Sequence, residues 1–397
     1  MSLQPNLHYR DLKDSYLFFG ISKKVEAYRA AHPDKPIYRL GIGDVSRPLC
    51  DCAIRAMHEA VEDQAKAGTF HGYTPECGLP EFRQAVAGYY ARRGIRLDAE
   101  EIFVSSGASD ELGDILDLFD TSSAALVTQP AYPAYVDASI IAGRKVNFLN
   151  AGPENDFLPL PGADTAADLI YLCSPNNPTG AVYSLEQLQT WVDWANERGA
   201  VILFDAAYEA FVEGELPHSI FETKGAESCA IEICSFSKTA GFTGTRLGYT
   251  VIPKALEREG MNLNAMWVRN RTTKTNGISY ILQKGGIAVF TDEGLRQIQE
   301  NIQFYKQNAR VIMEALDGAG VRYWGGKNAP YVWMACPNGM KSWDFFDLLL
   351  NKVQVIGTPG EGFGSCGEGF FRLSSFGDPE ATKIAAERIR KIVTADK

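Results

Sequence analysis

The sequence predicts an α/β fold, with a large domain on a mostly parallel, doubly wound sheet and a smaller α+β domain beside it. Three observations carry this expectation. Continuous apolar runs, such as residues 169–173 and 200–205, alternate with helical segments such as 185–198. Unbroken apolar runs suit strands buried on both faces, and their alternation with helices suits a parallel sheet. Polar clusters follow the C-terminal ends of these runs, the edge where open α/β sheets bind ligands. Beyond about Gly285 the pattern changes to a long helix followed by clustered short strands.

The elements are expected in this order. Residues 102–104 form a short strand, and Ser106-Gly107-Ala108-Ser109-Asp110-Glu111 then opens a helix running to about Phe119. A strand, a small-residue turn and a helix start make an anion site, because free amides and the helix dipole both favour negative charge. Asp110 and Glu111 place acidic charge at that start, suited either to stabilising the helix or to meeting a cationic ligand. Strands follow at 125–128, 145–149, 169–173, 200–205, 231–236 and 249–252. A long helix over 291–318 leads to strands at 321–324 and 331–336. A helix over 343–352, a strand near Val355, the strand containing Arg372 and a terminal helix from Pro379 complete the chain. The expected division is 47–285 for the large domain, and 1–46 with 286–397 for the small one.

The chemistry concentrates in three strings. Ser174-Pro175-Asn176-Asn177-Pro178-Thr179-Gly180 follows the run 169–173, and Asp205-Ala206-Ala207-Tyr208 ends the run 200–205. Ser235-Phe236-Ser237-Lys238-Thr239-Ala240-Gly241-Phe242-Thr243-Gly244-Thr245-Arg246 follows the next. A lysine among hydroxyls and glycines, with an arginine eight positions on, is what a pyridoxal-phosphate site needs: an amine for the aldehyde, and hydroxyls, amides and a guanidinium for the phosphate. Singly, each residue has a plainer explanation. Asp205 would cap the helix after its strand, Tyr208 would pack in a loop, and Arg372 would form a surface pair. Together, at the ends of adjacent strands, Asn177, Asp205, Tyr208, Lys238 and Arg246 converge on one crevice.

This order resembles the fold-type-I, class I/II pyridoxal-phosphate aminotransferases over nearly the whole chain. The resemblance implies that Lys238 is the Schiff-base lysine and proton carrier. It implies that Asp205 pairs with the pyridinium nitrogen, and that Asn177 and Tyr208 bond the ring's 3-hydroxyl oxygen. Ala108, Ser109, Ser235, Ser237 and Arg246 are then cofactor-binding, and Phe370-Phe371-Arg372-Leu373-Ser374 supplies Arg372 for the substrate α-carboxylate. Several strings are similar to the LL-diaminopimelate aminotransferase family. They include Asp14-Ser15-Tyr16-Leu17-Phe18, Leu40-Gly41-Ile42-Gly43-Asp44 and Phe70-His71-Gly72-Tyr73-Thr74-Pro75-Glu76. Ala131-Tyr132-Pro133-Ala134-Tyr135-Val136-Asp137 and Gly325-Gly326-Lys327-Asn328-Ala329-Pro330-Tyr331-Val332-Trp333 are two more. That family converts tetrahydrodipicolinate and glutamate to LL-diaminopimelate and 2-oxoglutarate, on the route to lysine. The likeness implies a homodimer with shared sites, in which Tyr16, Tyr73, Glu76 and Asn276 reach in from the partner subunit. Tyr73 would touch the cofactor phosphate, Glu76 would meet the distal ammonium, and Tyr132 would border the ring. Gly43 would line the substrate site. One departure stands out: the family's Ser-Asp-Gly-Ala-Lys loop is here Ser105-Ser106-Gly107-Ala108-Ser109, so Ser106 replaces an aspartate and Ser109 a lysine. The alternatives are an aminotransferase for lysine or an aromatic amino acid, a lyase on the same fold, and a non-catalytic binding protein.

Composition narrows the partners. The formal net charge of −10 over 397 residues argues against nucleic acid and anionic membranes. No apolar run reaches the ~18 residues of a membrane span. The polar first ten residues lack a signal core, so a cytoplasmic protein is expected. Eight cysteines and five histidines show no disulfide framework and no metal-ligand spacing. Cys173 and Cys234 are expected in buried strands as small apolar residues.

Overall fold

The structure, a computed structural model, describes residues 3–12, 17–41 and 43–395. Its centre is a seven-stranded sheet. In chain order the strands are β1 (Ile102–Ser105), β2 (Ala125–Gln129), β3 (Val146–Asn150), β4 (Leu169–Cys173), β5 (Val201–Asp205), β6 (Ala230–Ser235) and β7 (Gly248–Val251). They are arranged β1-β7-β6-β5-β4-β2-β3. Every neighbouring pair is parallel except the two made by β7, which runs against both β1 and β6. All residues of β4 and β5 are buried, as unbroken apolar runs require when helices cover both faces. The edge strand β3 is half exposed.

Local signals set the helix ends. Ser184 caps the helix Leu185–Arg198, its Oγ accepting from Gln187 N at 3.2 Å while Gln187 Oε1 accepts from Ser184 N at 2.9 Å. Gly199 ends that helix at φ 68°, a left-handed position natural to glycine. The long helix is Asp292–Ala319, capped by Thr291 Oγ1 on Gly294 N at 3.1 Å.

A second, antiparallel sheet of four strands follows: β8 (Tyr323–Gly325), β9 (Tyr331–Ala335), β10 (Thr358–Pro359) and β11 (Phe370–Ser374), in the order β8-β9-β11-β10. The expected strand near Val355 is the pair Val355–Ile356. It bonds in parallel to Tyr38–Arg39 and so ties the N-terminal segment to this part of the molecule. Two main hydrophobic cores result, and a smaller third cluster of Leu17, Ala151, Phe157, Trp333 and Phe363 lies where the two sheets meet. Ile298, Ile302 and Tyr305 of the long helix pack in the large sheet's core, while Ile312, Leu316 and Ala319 pack in the second.

Two expectations need refinement. The helix expected from Ser106 to Phe119 is Ala108–Asp114, tightening into a 3-10 turn over Ile115–Leu118. The helix expected to Lys352 keeps regular form only over Ser342–Leu348 and widens into a π turn over Leu349–Val353. All eight cysteines are free thiols, with Cys173 and Cys234 buried. Among the described residues no helix is long and apolar enough to cross a membrane, and no cluster could hold a metal ion.

Candidate active site

A cavity of about 720 Å³ opens between the C-terminal ends of β4–β6 and the second sheet. Such a volume is ordinary for a small-molecule site. Ala108, Ser109, Tyr132, Asn177, Asp205, Tyr208, Ser235, Ser237, Lys238, Arg246, Gly43 and Arg372 all line it. These are the expected residues, and they come from both sheets and the turns between.

Lys238 stands on the short turn Phe236–Thr239 after β6. Ser235 caps that turn, accepting from Ser237 N at 3.1 Å. The ammonium lies 5.8 Å from the Phe376 ring centre. Burial lowers the pKa of the Lys238 amine to about 8; Asp44 opposes this, while Arg372 and Arg246 add to it. Asp205 ends β5 and is buried. Burial raises its carboxyl pKa, against the hydrogen bonds from Tyr135 Oη (2.7 Å) and Ala207 N (3.0 Å). No cation pairs with Asp205 among the described residues.

Arg246 adopts φ 65°, and its Nη1 donates to Ser237 Oγ (3.1 Å) and Thr243 O (3.2 Å). Gly107, at φ 131°, lets that guanidinium lie against the turn after β1. A Cβ there would sit 2.4 Å from Arg246 Nη2, so any side chain would push the arginine away. Ser109 lines the cavity without charge. Ser106 turns aside to donate to Asp110 Oδ2 at 2.5 Å. Glu111 faces the interior, accepting from Thr250 Oγ1 (2.7 Å) and Arg271 Nη1 (3.3 Å), so it braces the helix and does not meet a ligand.

Arg372, on β11, is buried. Its Nη1 donates to Asn177 Oδ1 (2.7 Å), its Nη2 to Gly41 O (2.8 Å) and Thr358 Oγ1 (3.3 Å), and its Nε has no partner. Tyr331 stacks on this guanidinium at 4.3 Å and shares a 2.9 Å hydrogen bond with Tyr208 Oη. Gly43 is where it is for lack of room: a Cβ would meet Tyr331 Oη at 2.7 Å. Tyr135 and Tyr331 were given no role in the sequence reading. Both lie inside quoted strings, and only the fold shows which hydroxyls turn inward.

Tyr73, Glu76 and Asn276 do not line the cavity of their own chain. Tyr73 is 88% exposed and Asn276 is exposed, while Glu76 is half buried. Their segments lie together, joined by Thr74 Oγ1 donating to Ile278 O at 2.7 Å. Tyr16 lies outside the described residues.

A buried acid without a cation, a largely buried amine of lowered pKa and a guanidinium held beside a glycine turn fit pyridoxal phosphate. The chain belongs to the aminotransferase class I and II family, whose model matches residues 35–389. It is a pyridoxal-phosphate-dependent aminotransferase acting on small amino and 2-oxo acids. Among its relatives are LL-diaminopimelate aminotransferases of Agathobacter rectalis (48% identical, spanning 98% of this chain and 100% of the relative) and Lawsonia intracellularis (49%, spanning 97% and 98%). The L,L-diaminopimelate aminotransferase structure from Chlamydomonas reinhardtii superposes with a TM-score of 0.93 at 37% identity, covering 99% of each chain.

Proposed function

We propose that this enzyme transfers an amino group between LL-diaminopimelate and a 2-oxo acid, 2-oxoglutarate by resemblance, as a homodimer. The observation that carries the substrate is the near-full-length identity to diaminopimelate aminotransferases. Pyridoxal phosphate, when bound, supplies the electron sink for the pair left on the substrate Cα. This chain's residues do the rest. Lys238, as the neutral amine, takes the Cα proton and returns it; its low pKa makes it a competent base near neutrality. Asp205, fixed by Tyr135, would pair with the cofactor's ring nitrogen and favour its protonated form, the cation that a buried carboxylate lacks here. Asn177 and Tyr208 would hydrogen-bond the ring's 3-hydroxyl oxygen. Arg246, Ser235, Ser237 and the helix start at Ala108–Ser109 would hold the phosphate. Arg372 offers a planar fork to the α-carboxylate, and Tyr132 and Gly43 shape the space beside it.

Tyr16, Tyr73, Glu76 and Asn276 are proposed to complete the neighbouring subunit's site. The absence of Tyr73, Glu76 and Asn276 from their own chain's cavity supports this reading, with Glu76 suited to a distal ammonium. We keep the division into 47–285, and 1–46 with 286–397; the second core, drawn wholly from the latter residues, supports it.

Ser109 favours a second reading, an aminotransferase for lysine or an aromatic amino acid, because it puts no charge beside the substrate's far end. Half-reaction spectra against LL-diaminopimelate, glutamate, lysine and phenylalanine separate the two. The first reading expects rapid loss of the lysine-linked absorbance with LL-diaminopimelate and glutamate. A response confined to lysine or phenylalanine would sink it.

A further inference from the structure

The cavity extends beyond the groups used so far. One face of the helix Leu17–Ala31 forms its outer wall: Phe18, Ile21, Ser22, Val25, Glu26 and Arg29 recur at helical spacing along it. Phe18 sits at the inner end, 5.8 Å from the Arg372 guanidinium. Arg29 lies three turns on, about 16 Å further out at 1.5 Å per residue. Arg39, on the two-residue strand beside Ile356, lines the same cavity. Both arginines are exposed, and neither makes a side-chain hydrogen bond or ion pair among the described residues. Glu26 shares the wall without pairing with either.

The other cations lining the cavity are already committed. Lys238 and Arg246 serve the cofactor, and Arg372 serves the α-carboxylate. Two unpaired arginines at the mouth of a molecule of net charge −10 are electrostatically conspicuous. Partial burial, and after it repulsion from Arg29, lowers the pKa of Arg39. Arg29 and Arg39 line the same cavity as Arg372 and are its two exposed arginines.

We propose that Arg29 and Arg39 form an outer anion subsite that captures dicarboxylic acids at the cavity mouth and selects them over monocarboxylic ones. This rests on the reading of the enzyme as a dicarboxylate aminotransferase. Two neighbouring positive charges attract a dianion more strongly than a monoanion, and a mouth with low-dielectric walls concentrates that field and raises association rates. The effect belongs in kcat/KM and its salt dependence, because the pair does not touch the reacting atoms.

The test uses the holoenzyme and two non-reacting acids, glutarate and butyrate, as competitive inhibitors of the half-reaction with whichever amino acid the enzyme converts best. In R29Q/R39Q the inhibition constant of glutarate should rise at least fivefold at low salt, with butyrate moving less than twofold. Raising ionic strength to about 0.5 M should erase the difference. E26Q, which removes the opposing charge, should shift glutarate the other way. Equal changes for both acids, no change for either, or a change that salt does not touch would overturn the subsite. Failure of wild-type enzyme to convert LL-diaminopimelate would overturn the substrate reading alone, since the glutarate comparison needs only some active donor.

Discussion

At Lys238 the chain puts a charged side chain where water is scarce, and burial lowers its pKa to about 8. The neutral amine is the form that attacks the cofactor aldehyde. Recombination of cofactor-free protein with pyridoxal phosphate should therefore accelerate through about pH 8, well below the ordinary lysine value of 10.5. Stopped-flow absorbance across pH 6–10 reads this directly, and a midpoint near 10 would refute it. Ser109 poses the other residue-scale question. A lysine there would add a charge-assisted hydrogen bond, worth roughly 1.5–3 kcal/mol where water is excluded. S109K should raise kcat/KM for LL-diaminopimelate by about tenfold or more, and cofactor affinity by less, because Arg246, Ser235 and Ser237 already hold the phosphate. High wild-type activity on LL-diaminopimelate that S109K leaves unchanged would show that another group already serves.

At the scale of elements, β6 carries a second buried acid. Glu232 accepts from Tyr90 Oη, from Ser219 Oγ at 2.6 Å and from Ile220 N at 3.0 Å. Burial outweighs those bonds and raises its pKa from 4.5 to about 7. Between those values the native chain holds a proton that the unfolded chain has lost. The resulting stability is complete below pH 4.5 and is lost as pH rises through about 7, a change of about 3 kcal/mol. Urea denaturation of wild type and E232Q at pH 5 and pH 7.5 checks the sign: wild type should lose stability relative to the variant on going to the higher pH. The sequence reading saw β6 only as an apolar run, and Glu232 within it passed unnoticed. Strands were legible because burial on both faces demands continuous apolar residues. The site was legible where a residue follows a strand end, as Asp205 and Lys238 do. Tyr135 and Tyr331 were not, because a tyrosine in a helix or strand has no sequence signal for which way its hydroxyl turns. Nor was the early tightening of the helix at Ala108–Asp114, since the composition of 115–118 suits either helical form.

For the whole molecule, the proposed sharing of sites makes a mixing experiment decisive. K238A lacks the amine, and a Tyr73→Phe, Glu76→Gln double variant lacks the groups proposed to cross. Each homodimer should be inactive, yet hybrids contain one intact site. Co-refolded mixtures should recover activity, up to about a quarter of wild type for random pairing of two-site dimers. No recovery, or a fully active monomer in sedimentation, would refute the shared site.

Two hydrogen bonds join the sheets across the cavity: Arg372 to Asn177, and Tyr331 to Tyr208. Their large-sheet ends are the two groups proposed to face the ring oxygen, and their small-sheet ends are the α-carboxylate arginine and its stacked tyrosine. Occupancy of one sheet's arginine would then be felt by the other sheet's asparagine. A carboxylate arriving on Arg372 would compete for Nη1 and loosen its hold on Asn177, which would alter the hydrogen bonding available to the ring oxygen of a bound cofactor. Butyrate alone, unable to react, should shift the visible band, and an R372K variant should leave the band unmoved.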